Sequence, residues 1–555
     1  MTTQPYYLTT PIYYVNDRPH IGHCYTTLVA DVMARFQRLW RGQTQPAPTD
    51  QASVFFLTGT DEHADKVVKS AAEHGKGPQE WADINAAEFV KAFASLGIAN
   101  DDFIRTSEPR HKDKVPGYIS RLMASGDIYK GEYTGWYDEG QEAYVPENEA
   151  RENDYKSKIS KKPLVKRTEA CYFFRLGKYQ QRLHQHIEQN PGFVQPDARR
   201  QEVLGRLRPP AELFDIPVSR PVTNDPATQW GVRVPGDEAN RVYVWIDALF
   251  NYLTVVDTPE RRRLWPAAVH LIGKDILWFH AVIWPALLMA LNEPLPGTIF
   301  GHGWWISEGE KMSKSMGNFI DLEKLHEYAA KFGLDGLRWF LATQGPLSGS
   351  DADFSHARFV EVYNTDLANA VGNCVSRVGN MVEKYFGGSL PANETVELVA
   401  DPAAGATIMQ PLATLYDWKR LSQEAVGEVA KNIGADGQQG FDPGAALLAG
   451  AKLVRHVDAF IGLTRPFTVA KRTDDQSKRA LAAILYQCAE TLRVASVILS
   501  PALTTKIPQL WQAWGCQPPA GTTLANLCEW GGHHALKPGQ KVGKGEILYM
   551  RADGA

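Results

Sequence analysis

The apolar positions change period several times along the chain, and each change marks an element. Tyr6 to Tyr14 is rich in Tyr, Thr and Ile and carries no charge, the pattern of a buried strand. From Ile21 the period lengthens. Ile21, Tyr25, Leu28, Val32, Phe36 and Leu39 recur at three- and four-residue steps, which predicts one face of a helix. Val54 to Leu57 reads as a second short strand and Asp65 to Glu73 as a second helix, and this alternation predicts a parallel α/β sheet. Gln43 to Gln51 is polar and Pro-containing, a surface loop. From about Tyr118 to Pro210 the character shifts to that of an inserted domain, with Glu147 to Lys162 a charge-dense, solvated excursion. The α/β character returns at Tyr243 to Ile246 and His270 to Ile272. After Phe354 the pattern is helical: Leu367 to Tyr385, Met409 to Val429, Ala445 to Leu463 and Asp474 to Leu499, punctuated by Gly and Pro as in a bundle. Gly531 to Ala555 is expected to pack back as a tail.

Length and composition add limits. At ~150 residues per domain, 555 residues suit three or four domains, with 44% hydrophobic and 22% charged residues typical of a soluble globular protein. A formal net charge of -4 does not announce a nucleic-acid binder, so any RNA contact would need a local basic face. Six cysteines lie scattered with no C-x-x-C pair, which argues against a disulfide framework and fits a reducing compartment. The N-terminus lacks the features of a secretory signal. The apolar run Phe279 to Leu291 is short and broken by His280 and Pro285, too little to span a bilayer. The expectation is a cytoplasmic protein with no membrane association.

Two short motifs carry chemistry. Pro19-His20-Ile21-Gly22-His23 lies between the first strand and the first helix, where free N–H groups and the helix dipole suit phosphate. Gly22 would let a ligand approach the backbone, and His20 and His23 can donate to phosphate oxygens. Lys311-Met312-Ser313-Lys314-Ser315, followed by Met316-Gly317-Asn318, suits a loop that closes over a polyphosphate. Taken singly, the first also reads as a surface turn and the second as a solvated basic loop.

As an ordered pair, separated by an insert and followed by a helical region, they resemble the signatures of the class I aminoacyl-tRNA synthetases. Thr10-Pro11-Ile12-Tyr13-Tyr14-Val15-Asn16, Thr58-Gly59-Thr60-Asp61-Glu62-His63, Val244-Trp245-Ile246-Asp247-Ala248 and Ile272-Gly273-Lys274-Asp275-Ile276 look like segments of the methionyl-tRNA synthetase family. The resemblance implies a doubly wound, Rossmann-like catalytic domain in two halves, 1–117 and 211–335. Between them lies a connective insert, 118–210; a linking segment, 336–360, and an α-helical anticodon-binding region with its tail, 361–555, follow. It implies activation of L-methionine with ATP and transfer to the 3′ end of tRNA(Met), with Mg²⁺ accompanying ATP.

The same resemblance implies roles. His20, Gly22, His23, Arg220, Lys311 and Lys314 would contact ATP, with His20, His23, Lys311 and Lys314 catalytic. Ile12, Tyr14, Asp61, Trp245, Tyr252, Ile276, His280 and Trp284 would bind methionine. Asp61 would take the ammonium, the aromatics the side chain, and Tyr14 or His280 would offer a weak hydrogen bond to the sulfur. Asn373, Arg377 and Phe467 would read the anticodon. From the residues alone, Trp245, Tyr252 and Trp284 also read as core aromatics, Arg220 as a surface salt-bridge partner, and the anticodon residues as bundle packing. An isoleucine- or leucine-specific synthetase, an RNA-binding paralogue without activity and a small-molecule adenylyltransferase are the competing readings.

The chain departs from the family pattern in places. Many members carry zinc knuckles in the insert, but no cysteine lies between Trp136 and Glu169 here, so no structural zinc is expected. Phe467 follows Pro466 where the family usually has tryptophan. The chain shows no appended tRNA-binding β-barrel of the kind used for dimerisation, which favours a monomer.

Overall fold

The computed structural model describes residues 4–16, 18–43, 52–140, 143–145, 147–307, 309–312, 318–394, 416–543 and 545–552. Most of the surface loop read at Gln43 to Gln51 therefore lies outside the described residues. Six strands form the central sheet: β1 (Tyr6–Tyr14), β2 (Val54–Asp61), β3 (Asp102–Arg105), β4 (Val194–Gln195), β5 (Val269–Gly273) and β6 (Thr298–His302). Their spatial order is β3-β2-β1-β5-β6-β4, and every pairing is parallel. Pro11 has no N–H to give the ladder, and the β1–β2 register shifts between Thr9 and Ile12. The edge strand β4 falls within the stretch read as the insert, so the chain rejoins the parallel sheet before residue 210.

Strand β1 matches its sequence reading, and β2 runs on past Leu57 to Asp61. The helical face from Ile21 becomes helix α1 (Ile21–Arg41), with Tyr25, Leu28, Val32 and Phe36 buried and Leu39 partly buried. Tyr243 to Ile246 is not part of the sheet; Tyr243 caps a short helix, Val244–Leu249. The insert carries its own antiparallel sheet, in which Ile128–Asp138 pairs with Val165–Phe174.

The chain leaves the sheet through α2 (Leu322–Gln344), broken at Gly333, whose φ of 77° is a left-handed conformation that glycine permits. The bundle follows: α3 (Asn373–Phe386), α4 (Trp418–Asn432), α5 (Pro443–Thr464) and α6 (Asp475–Leu499). Helix α6 is long and apolar enough to cross a membrane, yet its apolar stretch is wholly buried within the protein. Its internal charges are paired, with Arg493 and Glu490 at 2.7 Å. The tail packs back as read: the Tyr549 hydroxyl donates to Asp335 of α2 at 3.0 Å, and Asn364 exchanges two hydrogen bonds with the Ala552 backbone.

Candidate active site

Strand β1 has β2 on one side and β5 on the other, so chain connections leave it in opposite directions. In a doubly wound sheet that reversal opens a crevice beyond the carboxyl ends of the strands, and ligands bind there. The His20 motif follows β1 directly into this crevice.

His20 is the N-cap of α1, with extended backbone (φ −134°, ψ 178°). Its Nδ1 accepts the Gly22 N–H at 3.1 Å, while Nδ1 of His23 accepts the His20 N–H at 3.4 Å. A neutral imidazole has one acceptor and one donor, so this reciprocal cap puts the proton of each ring on Nε2. The rings lie 3.9 Å apart between centroids. Burial, reinforced by neighbouring His20, holds the His23 pKa well below the ordinary histidine value.

This corrects the expectation of free N–H groups. The backbone N–H groups at the start of α1 are engaged internally: Gly22 donates to His20 and Ile21 to the Ile320 carbonyl at 3.1 Å. What the motif leaves facing outward are the imidazole Nε2–H edges and the positive end of the helix dipole. Gly22 leaves room for the His20 ring, since a Cβ there would sit 2.9 Å from His20 Cε1.

The second motif is anchored against the first. A hairpin pairs Trp305–Ser307 with Glu310–Lys311, placing the Lys311 backbone, and the chain returns at Asn318 to Asp321. There Asp321 bridges to His20 and Phe319 packs edge-on to its ring at 5.3 Å. Lys314 lies outside the described residues, as do Ser313, Ser315, Met316 and Gly317.

The eight expected methionine residues converge. Tyr14 sits opposite Asp61 in the β1–β2 register, both at strand ends, and Ile12 shares the Tyr14 face of β1. Tyr14 meets Trp245 edge-on at 5.9 Å, and Trp245 stacks on Phe279 at 4.3 Å. Beyond Phe279 the helix takes π geometry to Ile283, leading into Trp284–Ala290. Within it His280 Nδ1 lies 3.0 Å from the Ile276 carbonyl, which can only accept, so Nδ1 carries the proton. Nε2 then accepts the Tyr252 hydroxyl proton at 2.8 Å. Burial lowers the His280 pKa to about 4, which keeps the ring neutral. His280 therefore has no proton to offer a sulfur, contrary to one reading from the sequence. Tyr252, His280 and Trp284 are almost fully buried, whereas Ile12, Tyr14, Trp245 and Ile276 are partly exposed, so the cluster runs from the surface into the core.

Arg220 does not stand at the surface. Only 8% exposed, its guanidinium lies 4.0 Å over the Tyr243 ring and 5.8 Å from Tyr137 of the insert. Behind the pocket, both oxygens of buried Asp247 are taken by histidines: His63 Nδ1 at 2.7 Å and His111 Nε2 at 3.1 Å. Burial alone would raise the Asp247 pKa, but the imidazoles of His111 and His63 outweigh it and hold the carboxyl below the ordinary range.

The family profile described as "tRNA synthetases class I (M)" matches residues 6–153 and 150–379. The chain belongs to the class I methionyl-tRNA synthetase family. It is 40% identical to the methionine–tRNA ligase of Streptomyces coelicolor over 563 residues, covering 99% of this chain and 97% of that one. The Bacillus subtilis methionine–tRNA ligase is 38% identical, with 99% and 78% covered. Among solved structures, Mycobacterium tuberculosis methionyl-tRNA synthetase in complex with methionyl-adenylate superposes with a TM-score of 0.83 at 32% identity, covering 99% of this chain and 100% of that one.

Far from the crevice, Asn373 and Arg377 lie on the solvent side of α3, opposite buried Cys374 and Val378, and Arg377 ion-pairs with Asp458. Phe467 is 48% exposed on the turn after Arg465. Sequence reasoning missed Phe279, His270 and the Asp247 cluster. His63 and Asp247 stood inside quoted segments, but only the fold brings His111 to Asp247.

Proposed function

We propose that this synthetase activates L-methionine and charges tRNA(Met). The methionine carboxylate attacks the α-phosphorus of ATP, an O–P bond forms, and pyrophosphate leaves. The 3′-terminal ribose hydroxyl of the tRNA then attacks the activated carbonyl and releases AMP. One observation carries this reading: the switch-point crevice joins two capped histidines, each with its proton on Nε2, to a neutral, desolvated aromatic pocket.

The pocket chemistry suits methionine. An unbranched, polarisable side chain gains area and sulfur–aromatic contact from Tyr14, Trp245 and Trp284. The Tyr252 proton goes to His280 and the His280 proton to Ile276, so neither offers a donor to a polar side chain, which would enter desolvated and uncompensated. Asp61 takes the ammonium by a charge-assisted bond. His20 and His23, with Lys311, Lys314 and Arg220, balance phosphate charge as the leaving bond stretches. Mg²⁺ arrives on the ATP phosphates.

In the insert, side-chain oxygens accept the turn N–H groups: Asp138 from Gly140 at 2.8 Å and Ser157 from Ser160 at 3.0 Å. That hydrogen bonding supports a fold that needs no zinc. Asn373, Arg377 and Phe467 present polar and stacking groups to anticodon bases, with Phe467 giving less stacking area than tryptophan.

ATP–pyrophosphate exchange with a panel of amino acids tests the reading. Methionine should drive exchange well above isoleucine and leucine. Exchange with either of those but not with methionine would overturn it.

A further inference from the structure

We propose that His270 is a positioning residue for the methionine pocket, holding Trp284 and Tyr252 in place through a one-way hydrogen-bond relay from Trp284 to Thr9. The inference rests on the methionine reading above and extends it to a residue outside the pocket's expected set.

His270 stands in the middle of β5, among Val269, Leu271 and Ile272, with no exposed surface. The sheet interior favours an apolar side chain there, and a buried imidazole is costly unless both nitrogens are satisfied. Both are. The Trp284 indole Nε1 donates to His270 Nε2 at 3.3 Å, and His270 Nδ1 lies 2.6 Å from Thr9 Oγ1 on the neighbouring strand, its register partner. An indole N–H can only donate, so Nε2 holds the lone pair and the proton sits on Nδ1, facing Thr9. The relay thus has one direction, and it links β1 and β5, the two strands that flank the crevice. The face of the same ring lies 4.2 Å from Tyr252, whose hydroxyl holds His280. Burial and nearby His280 keep the His270 pKa well below the ordinary value, which preserves the neutral form that the relay needs.

One imidazole therefore governs two aromatic walls at the deep end of the pocket, where a shift of a few tenths of an ångström changes the fit of a thioether. An apolar residue at 270 would pack but would orphan the indole N–H, freeing Trp284 to turn. Among the described residues, the side-chain contacts of His270 run to Thr9, Tyr252, Trp265, His280 and Trp284, so its effect should fall on methionine.

The test is ATP–pyrophosphate exchange on the full-length enzyme with methionine and ATP varied separately. Methionine-dependent exchange by the wild type is established first; its absence would remove the functional reading and this role with it, whereas the variants below bear on His270 alone. His270→Phe should raise the methionine KM by about tenfold while the ATP KM stays within about twofold. His270→Gln, whose amide oxygen can accept the indole proton, should stay within about threefold of wild type for methionine. In a Trp284→Phe background the donor is gone, so adding His270→Phe should change the methionine KM by less than about twofold. A melting curve for each variant separates loss of fold from loss of fit. The proposal is overturned if His270→Phe raises both KM values equally, if His270→Gln is as impaired as His270→Phe, or if the His270→Phe penalty persists undiminished without the indole.

Discussion

Replacing Gly22 with alanine should separate the stability of the catalytic domain from its chemistry. The added Cβ would lie 2.9 Å from Cε1 and 3.2 Å from Nδ1 of His20, closer than unstrained contacts allow. What it meets is the movable end of a side chain, so the His20 ring swings away and the backbone stays. Leaving the cap breaks the 3.1 Å bond from Gly22, a loss of about 1 kcal/mol for an N-cap. Alanine in place of glycine in the first helical turn returns roughly 1 kcal/mol of backbone entropy. The two nearly cancel, so the melting temperature should move by only a few degrees. Chemistry has no such offset. Once released, His20 loses both its position and the tautomer that puts its proton on Nε2, and a misplaced charge-stabilising donor costs about 10²–10³ in kcat. The contrast is Gly59→Ala on β2, whose Cβ would fall 2.0 Å from the Ile104 carbonyl oxygen, a backbone atom that cannot turn aside; there the fold itself should lose about 3 kcal/mol or more. Melting curves and exchange kinetics at saturating methionine and ATP read both quantities. If Gly22→Ala melts as early as Gly59→Ala, or keeps kcat within about threefold of wild type, the cap is not what orients His20.

Three further outcomes follow from the same geometry. The folded protein holds His280 neutral down to about pH 4 while the unfolded chain protonates it near 6.5, so the unfolded state binds more protons between those values and stability falls as pH drops through that window. The span is worth about 3 kcal/mol, and a His280→Asn variant should show a correspondingly flatter pH dependence of unfolding; parallel curves would refute the assignment. Arg338→Lys keeps the charge but cannot reproduce the contacts of the buried guanidinium to Asp31, Leu96, Gly97, Pro501 and Ala502, so melting should drop by an amount equivalent to about 3 kcal/mol. Arg377→Ala and Asn373→Ala should lower kcat/KM for tRNA charging by about tenfold while leaving pyrophosphate exchange unchanged, because both sit on the bundle; equal losses in the two assays would remove them from RNA recognition.

The sequence was most legible where one physical signal dominated. Nine uncharged residues rich in Tyr, Thr and Ile delimited β1, and a helical apolar face delimited α1. The capping role of His20 was hidden because histidine is not a usual N-cap residue, and its partner is a second histidine rather than Glu or Gln. The π-helical turn at Phe279–Ile283 left no trace in an apolar run without clear period, although it is what puts His280 and Trp284 into the pocket. The two-residue strand β4 is too short to carry an alternation. Asp247, His63 and His111 come from three separate segments, and no local pattern joins residues that only tertiary packing brings together. The pocket aromatics were recognisable through family resemblance, whereas which proton each holds required distances.

Those distances also explain how the chain flanking two motifs so far apart in sequence comes together. Helix α1 starts at His20 and α2 starts just after the lysine loop, and the two starts are stitched by the Ile21 N–H to Ile320 bond and the His20–Asp321 bridge. The exposed Arg18–Glu323 pair beside them adds little in water. Further along, Arg338 of α2 meets Asp31 of α1 at 2.6 Å with both side chains fully buried, a pair whose disruption would leave an uncompensated charge in the core. The same guanidinium donates to the carbonyls of Pro501 and Ala502, just past the end of α6. One residue thus sets the registry of the histidine helix, the helix behind the lysine loop and the end of the central bundle helix. The described chain on either side of the lysine loop is thereby held in place, at Lys311 by the hairpin and at Asp321 by the bridge to His20.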